Sequence, residues 1–159
     1  MNFFLTNSLL NFSSWLPLYH DMGIMSHLFT PILVPNGGLQ YLLSPLSFLK
    51  DPLLWIRLTG QLKVNMTGGP NFAYALVASR FNESPFECDL SAWKVAFCGA
   101  EPVRIATIRN FTETFQKFHF DAKSFCPVYG LAEATLIVTY TPLNLRKSPT
   151  ILHVVFNVQ

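Results

Sequence analysis

Charged residues are scarce in this sequence: Asp, Glu, Lys and Arg make up 13% of its 159 residues, against about 25% in typical soluble domains. The net charge of +2 comes from scattered side chains without a basic run. The electrostatic footprint of a nucleic-acid-binding protein is therefore missing. Hydrophobic residues account for 50% of the chain, which excludes intrinsic disorder and indicates that much of the chain is buried.

Membrane-spanning and secretion signals are also missing. Asp21 is the only charged residue between Met1 and Leu49, which invites a membrane interpretation. A spanning helix needs about 20 predominantly apolar residues, whereas polar residues and Pro17 interrupt the first twenty here. A positively charged start typical of a signal peptide is absent. We predict no transmembrane segment, and we expect the charge-poor stretch to lie inside a larger α/β fold.

Cysteine and histidine do not occur at the spacings of metal sites or disulfide frameworks. Cys88, Cys98 and Cys126 are odd in number and lack a C-x-x-C spacing, so we interpret them as small buried residues of a cytoplasmic protein. The histidines include no H-E-x-x-H pair. The motifs G-x-S-x-G and G-x-G-x-x-G are missing as well, which leaves a serine hydrolase or a nicotinamide enzyme without support.

Short apolar runs alternate with longer helical patterns along the chain. This alternation predicts an α/β fold with a mostly parallel sheet and helical crossovers. The predicted strands are 14–18, 39–43, 63–66, 93–98, 124–128 and 136–140. The predicted helices are 23–29, 46–61, 71–80 and 103–118. A final apolar run at 151–158 resembles a strand that would need neighbours.

The last predicted helix has the clearest amphipathic pattern. Its apolar stripe recurs at helical spacing and consists of Ile108, Phe111, Phe115 and Phe118. Its opposite face carries Arg109, Asn110, Glu113 and Lys117. This pattern is typical of a helix that packs against a sheet.

Glycine-containing segments recur at 66–70, 98–102 and 129–133, where predicted strands lead toward helices. Ligands of parallel α/β sheets bind beyond the carboxyl ends of the strands, and free N–H groups at helix N-termini favour anions. One such loop is ordinary turn chemistry. Three of them in successive β-α units indicate a ligand-binding edge.

Two side chains in these segments suit nucleotide chemistry. Tyr129 offers a flat face to an adenine ring, and Glu133 supplies an oxygen that Mg²⁺ accepts beside nucleotide phosphates. Structural alternatives stay open: Tyr129 also suits a strand-end core position, and Glu133 suits a first helical turn. His20, beside Asp21 in a turn after a predicted strand, equally suits a structural role.

Four segments closely resemble, in order and spacing, the fatty-acyl-AMP ligases of the adenylate-forming superfamily, the AMP-dependent synthetases and ligases. They are WLPLYHDMG (15–23), GGPNFAYAL (68–76), WKVAFCGAEPVR (93–104) and PVYGLAEATLIV (127–138). The resemblance implies that a fatty acid reacts with ATP and Mg²⁺ to form an acyl-adenylate and pyrophosphate. The acyl group would then pass to an acyl carrier protein.

The resemblance also implies roles for individual residues. His20 would lie near the reacting carboxylate and the α-phosphate, and Glu133 would hold the magnesium ion. The implied nucleotide site consists of Gly99, Ala100, Glu101, Tyr129 and Gly130. The implied wall of the acyl pocket consists of Thr67, Gly68, Phe72 and Cys98.

Some features depart from the family pattern. After HDMG this chain has Ile24-Met25-Ser26 and then His27, on the helix expected to border the acyl tunnel. Residues 14–140 would form a partial adenylation domain with divergent ends at 1–13 and 141–159. The family's phosphate loop and C-terminal lysine domain do not occur in this sequence, and losing one charge-stabilising group commonly costs ~10²–10³ in rate. We therefore expect the polypeptide alone not to adenylate fatty acids at a useful rate.

Other interpretations remain open at this point. The chain could be a non-catalytic module that binds an adenylate, an acyl chain or another protein. It could also be part of an acyl-CoA synthetase, or a chain that does not fold alone. Strands left open by missing neighbours could be covered by a complementary chain.

Overall fold

The protein is described by a computed structural model, in which residues 9–141 are placed. Six strands form one sheet in the order β2-β1-β3-β4-β5-β6. The first five pair in parallel, and β6 runs antiparallel to β5. The strands are β1 (Leu10–Ser14), β2 (Gly38–Leu42), β3 (Met66–Pro70), β4 (Val95–Gly99), β5 (Phe125–Gly130) and β6 (Ile137–Tyr140). The predicted mostly parallel α/β fold is confirmed.

Helices connect the parallel strands. They are α1 (Asp21–Ile24), α2 (Thr30–Leu33), α3 (Pro45–Lys50), α4 (Leu53–Gln61), α5 (Asn71–Glu83) and α6 (Ile105–Phe115). A π-helical turn, Met25–Phe29, joins α1 to α2, so 21–33 is one irregular helical segment. Short 3-10 turns lie at Gln116–Phe118, Ala122–Ser124 and Ala132–Ala134.

The core is an aromatic cluster between the sheet and helices α3 to α6. Trp55, Tyr74 and Trp93 are buried and lie edge-to-face or stacked on one another. Each polar tip is paired: the Trp55 indole donates to Thr67 Oγ1 at 2.9 Å, and the Tyr74 hydroxyl donates to the Phe97 carbonyl at 2.7 Å. The Trp93 indole donates to backbone carbonyls of β3 and β4. The indole and hydroxyl groups of these three rings are therefore all paired.

The predicted stripe of the last helix is confirmed. Its four apolar residues are buried, with Phe111 and Phe115 at zero exposure. The opposite face is exposed, as the polar residues there require. The regular helix is shorter than 103–118, because α6 ends at Phe115 and a 3-10 turn continues to Phe118.

Two predicted strands are misplaced. The first is β1, Leu10–Ser14, and not 14–18, because a turn begins beyond Ser14: its hydroxyl accepts the Leu16 amide, and Pro17 has no amide to pair. The second is β3, Met66–Pro70, and not 63–66. Lys63 lies at φ 49, a left-handed conformation that cannot continue a strand.

The predicted helix 46–61 is wrong as a single element, since Asp51 and Pro52 separate α3 from α4 and proline disfavours helical backbone at the residue before it. The helix predicted at 71–80 continues to Glu83. The four other strands lie within about two residues of prediction, an ordinary uncertainty for element ends. The apolar run at 151–158 and the end 1–8 lie outside the described residues. Between residues 9 and 141, helices long and apolar enough to cross a bilayer are lacking.

Candidate functional site at the carboxyl edge of the sheet

The predicted site segments meet at one edge because parallel strands align their carboxyl ends. Pro70, the last residue of β3, is the register partner of Gly99, the last residue of β4. Cys98 is in turn the partner of Pro127 on β5. The segment 66–70 is strand β3 itself and not a loop after a strand, which corrects the sequence interpretation. The other two segments do contain strand ends, since β4 ends at Gly99 and β5 ends at Gly130.

His20 lies in the turn after β1 and caps helix α1. The Met22 amide lies 3.1 Å from His20 Nδ1 and 2.6 Å from Asp21 Oδ1, and the two side chains are 2.7 Å apart. The Nδ1 side of the ring is thus engaged with the protein. About half of the imidazole is exposed, so Nε2 is the ring nitrogen that can reach a ligand.

The turn that carries His20 packs against β3 through the Trp15 side chain. The Trp15 indole stacks on Phe48 at 3.8 Å between ring centroids and meets the edge of Phe72 at 6.3 Å. A Cβ atom at Gly69 would lie 2.8 Å from the indole. The second glycine of the GGP segment therefore makes room for Trp15. Sequence reasoning did not single out Trp15, although its place in the first matching segment was a signal.

Two hydrogen bonds join the loop after β4 to the start of helix α5. The Glu101 carboxylate accepts the Phe72 amide at 2.6 Å, and the Asn71 side-chain oxygen accepts the Arg104 amide at 3.0 Å. Both acceptors satisfy amides that a helix start or a turn would otherwise leave free. Asn71 was missed from the sequence, and its place directly after Gly-Gly-Pro was the available signal.

Backbone conformation shapes the loop after β4. Ala100 adopts φ 62, a left-handed conformation that costs a non-glycine residue on the order of 1 kcal/mol and clusters at functional sites. A Cβ at Gly99 would lie 2.6 Å from both the Val128 side chain and its carbonyl. Because Gly99 has no side chain, β4 and β5 can pack closely at this edge of the sheet.

The four residues implied in the acyl-pocket wall differ in their surroundings. Thr67 is fully buried and its hydroxyl faces Trp55 on the α3–α6 side. Gly68 faces the other side, where a Cβ would lie 2.6 Å from the Phe97 ring. Phe72 is 45% exposed at the start of α5. Burial, with the nearby Glu101 charge, raises the pKa of the Cys98 thiol to about 12, so this thiol stays protonated.

The interpretation of the cysteines as small buried residues is only partly right for the other two. Cys126 is buried as expected, but Cys88 is only partly buried. Burial, followed by the charges of Glu87 and Asp89, raises the pKa of Cys88 to about 11. None of the three cysteines forms a disulfide, and neither Cys88 nor Cys98 has the lowered pKa of a nucleophile.

The end of β5 presents Tyr129 at 39% exposure, opposite Thr139 of β6. A Cβ at Gly130 would collide with the Leu136 carbonyl, so this tight turn requires glycine. Glu133 follows at an exposed position in a 3-10 turn. Among residues 9–141, groups of three or more potential metal-ligating side chains do not occur. A lone carboxylate fits Mg²⁺, which commonly takes one or two carboxylates together with substrate phosphates.

The carboxyl edge of this mostly parallel sheet brings together glycine-containing segments, a helix-capping histidine and an exposed tyrosine. These features define an α/β ligand-binding domain of the kind that receives nucleotides. The chain belongs to the family of AMP-binding enzymes, because the sequence model of that family matches residues 5–159. The resemblance seen in the sequence is thereby confirmed.

Individual relatives agree with this membership. The chain is 43% identical over 129 residues to a medium-chain fatty acid acyl-carrier-protein ligase of Teredinibacter turnerae, covering 80% of this chain and 20% of that protein. It is 41% identical over 136 residues to a long-chain fatty acid AMP ligase of Mycolicibacterium smegmatis, covering 81% and 21%. The chain thus spans about a fifth of the curated relatives that it matches.

Solved structures give the same result. A fatty acyl-adenylate ligase from Legionella pneumophila, in complex with acyl adenylate and pyrophosphate, superposes with a TM-score of 0.79 at 43% identity. The match covers 86% of this chain and 24% of that one. The fold is therefore that of part of an adenylate-forming enzyme.

Proposed function

We propose that this chain supplies the adenylate-binding edge and part of the acyl-binding wall of a fatty-acyl-AMP ligase, as a partial adenylation domain over 14–140. In that reaction a fatty acid carboxylate attacks the α-phosphate of ATP and releases pyrophosphate. The observation that carries the proposal is the meeting of the His20 turn, β3, the β4 loop and the end of β5 at one edge.

The nucleotide would lie over the ends of β4 and β5. Tyr129 is exposed enough to stack on adenine, and Gly130 keeps the turn beside it compact. The exposed, left-handed Ala100 would present its backbone to the base, and the buried Gly99 allows β5 to pack closely beside it. The Glu101 carboxylate is engaged by the Phe72 amide, so its contribution would be to hold this loop in place.

His20 would act on the reacting groups through Nε2. Its other nitrogen is held at the start of α1 by the Met22 amide and Asp21, so the ring is oriented before a ligand arrives. A positioned hydrogen-bonding group beside the α-phosphate stabilises the charge that develops there. Mg²⁺ would supply further charge neutralisation at the phosphates, with Glu133 as its protein ligand.

The fatty acyl chain would run on the Gly68 face of β3, with Phe72 near its start. Thr67 and Cys98 are buried and lie on the opposite face of the sheet, so they would support this wall from behind. Gly68 and the protonated Cys98 add no charge to this wall. Phe72 lies beside Trp15, behind the His20 turn, so the wall begins near the proposed reacting centre. A medium or long fatty acid is the substrate class of the relatives named above.

The proposal includes an acyl carrier protein as acceptor of the acyl group, because the Teredinibacter relative is named as a ligase that acts with such a protein. A cytoplasmic location agrees with three cysteines that form no disulfide. The proposal also includes a second chain that pairs with the edge strand β2.

Binding is tested by calorimetry with a non-hydrolysable sulfamoyl analogue of dodecanoyl-adenylate. We expect Tyr129→Ala to weaken binding by about 1–3 kcal/mol, the usual value of base stacking on an aromatic ring. Tyr41→Ala, on the far strand β2, is the matched control and should leave affinity unchanged. Absence of binding by the folded wild-type chain would overturn the proposal.

Catalysis is tested separately by ATP–pyrophosphate exchange with medium- and long-chain fatty acids. Exchange above that of His20→Ala would assign the complete half-reaction to this chain. Binding without exchange would restrict its role to holding the adenylate, which is what we expect of the polypeptide alone.

A further inference from the structure

His27 is a fully buried side chain without hydrogen-bond partners among residues 9–141. Its exposure is zero, and both ring nitrogens lack a partner there. Burial lowers the pKa of this imidazole to about 3, so at neutral pH one nitrogen is a donor and the other an acceptor. Buried polar groups are paired in the great majority of cases, and a structural role alone would be better filled by an apolar side chain.

The π-helical turn that carries His27 has a clear local cause. Pro31 cannot donate a hydrogen bond, and its ring would clash with the carbonyl four residues earlier, which is that of His27. The Thr30 amide instead donates to the Met25 carbonyl, which closes the wide turn. Such turns occur frequently at functional sites. Here the turn coincides with the buried histidine.

The position of His27 relates it to the proposed acyl wall. Its ring centroid lies 5.3 Å from that of Phe97, and the Phe97 ring covers the bare face of Gly68. His27 follows His20 by seven residues along the same helical segment, which corresponds to about 10 Å along a helix axis. An acyl chain that starts at His20 and runs toward Gly68 would therefore pass His27 part-way along its length.

We propose that His27 is a specificity-determining residue that selects acyl chains carrying a hydroxyl group about 10 Å from the carboxylate. A hydroxyl can accept from the protonated ring nitrogen or donate to the other one, so it can pair with one of the two nitrogens of a neutral imidazole. The inference rests on the proposed function above, because it assumes an acyl chain along the Gly68 wall.

The experiment compares sulfamoyl adenylate analogues by calorimetry: one with an unsubstituted dodecanoyl chain, and a series that carries one hydroxyl at successive mid-chain carbons. We expect one hydroxylated analogue to bind the wild-type chain roughly 3–10-fold more tightly, as one additional buried hydrogen bond provides. His27→Leu should bind the hydroxylated and the unsubstituted analogues with equal affinity. His27→Gln, which keeps a donor and an acceptor, should retain part of the preference.

The matched control is His119→Asn, at an exposed left-handed position, which should keep the full preference. A second measurement follows the His27 ring nitrogens by ¹⁵N NMR, where only the preferred analogue should shift both resonances. This measurement decides the matter if His27→Leu does not fold.

The outcomes separate the two proposals. Equal binding of all analogues by the wild type, or a preference that survives in His27→Leu, would overturn the selectivity while leaving the adenylate site intact. Failure of every analogue to bind would refute the adenylate site, and the selectivity with it.

Discussion

Buried polar side chains in this chain fall into two groups. Thr67, Ser26 and Asn71 are buried with hydrogen-bond partners and so contribute to the core without an unpaired group. The second group has buried polar atoms without a partner among the described residues; it includes the Ser13 hydroxyl and the Trp15 indole, and in His27 both ring nitrogens are unpaired. An unpaired buried group costs about 1–3 kcal/mol, so the free energy of unfolding should depend on this one residue in a measurable way.

The pH dependence of stability tests the burial of His27. The unfolded chain binds a proton at this histidine below pH 6.5, whereas the folded pKa is about 3. The unfolded state therefore binds more protons between these values, and stability should fall as pH drops from 6.5 toward 3, by up to about 1.4 kcal/mol per pH unit. Urea unfolding at a series of pH values measures this slope.

His27→Leu is the control for that slope, because carboxylates titrate in the lower part of the same range. The variant should be less sensitive to pH than the wild type between pH 6.5 and 4.5. Parallel pH profiles for the two proteins would show that His27 is accessible to protons in the folded state.

Helices and loops at the site depend on each other at the scale of whole elements. Helix α5 has no side-chain cap of its own, and its start is tied to the β4 loop by Glu101 and Asn71. The His20 turn reaches the same place through Trp15 and Phe72. Displacing the start of α5 would therefore disturb both the proposed adenine and acyl sides.

Asn71→Ala tests this coupling. Removing its side-chain oxygen leaves the Arg104 amide without its acceptor, which should cost about 1–3 kcal/mol of unfolding free energy. Hydrogen exchange at the Arg104 amide should accelerate, and denaturant unfolding measures the loss. Asn82→Ala, exposed on the same helix, should change stability little. An equal effect of both variants would argue against the link.

At the scale of the molecule, the described sheet ends in two edge strands, β2 and β6, of which β2 is the longer. Strand β2 pairs with β1 on one side, and among residues 9–141 its other side meets no strand. Leu39 on this strand is 48% exposed. Exposed apolar edge strands are templates for pairing with another chain, so this edge should control self-association or pairing with a complementary chain.

Leu39→Lys tests the edge, because a charge on an edge strand opposes strand addition. Light scattering after size exclusion should show less concentration-dependent association for this variant than for the wild type. Leu46→Lys, which adds the same charge at an exposed position of α3, should have a smaller effect. If the two substitutions act alike, net charge and not the edge is responsible.

The sequence alone determined the features that arise from local patterns and ordered motifs. The stripe of Ile108, Phe111 and Phe115 follows from helical periodicity, and the order of the four matching segments identified the family. The alternation of strands and helices was sufficient for a mostly parallel sheet, because crossover connections join parallel strands.

Tertiary structure alone decided where strands begin and which partners buried groups find. Gly68 and Gly69 are poor strand residues by propensity, yet they lie inside β3 because the Phe97 and Trp15 rings occupy the space that their side chains would need. The pairing of Glu101 with Phe72 joins residues far apart in the chain. The isolation of the His27 ring likewise depends on packing between distant segments, which no local pattern encodes.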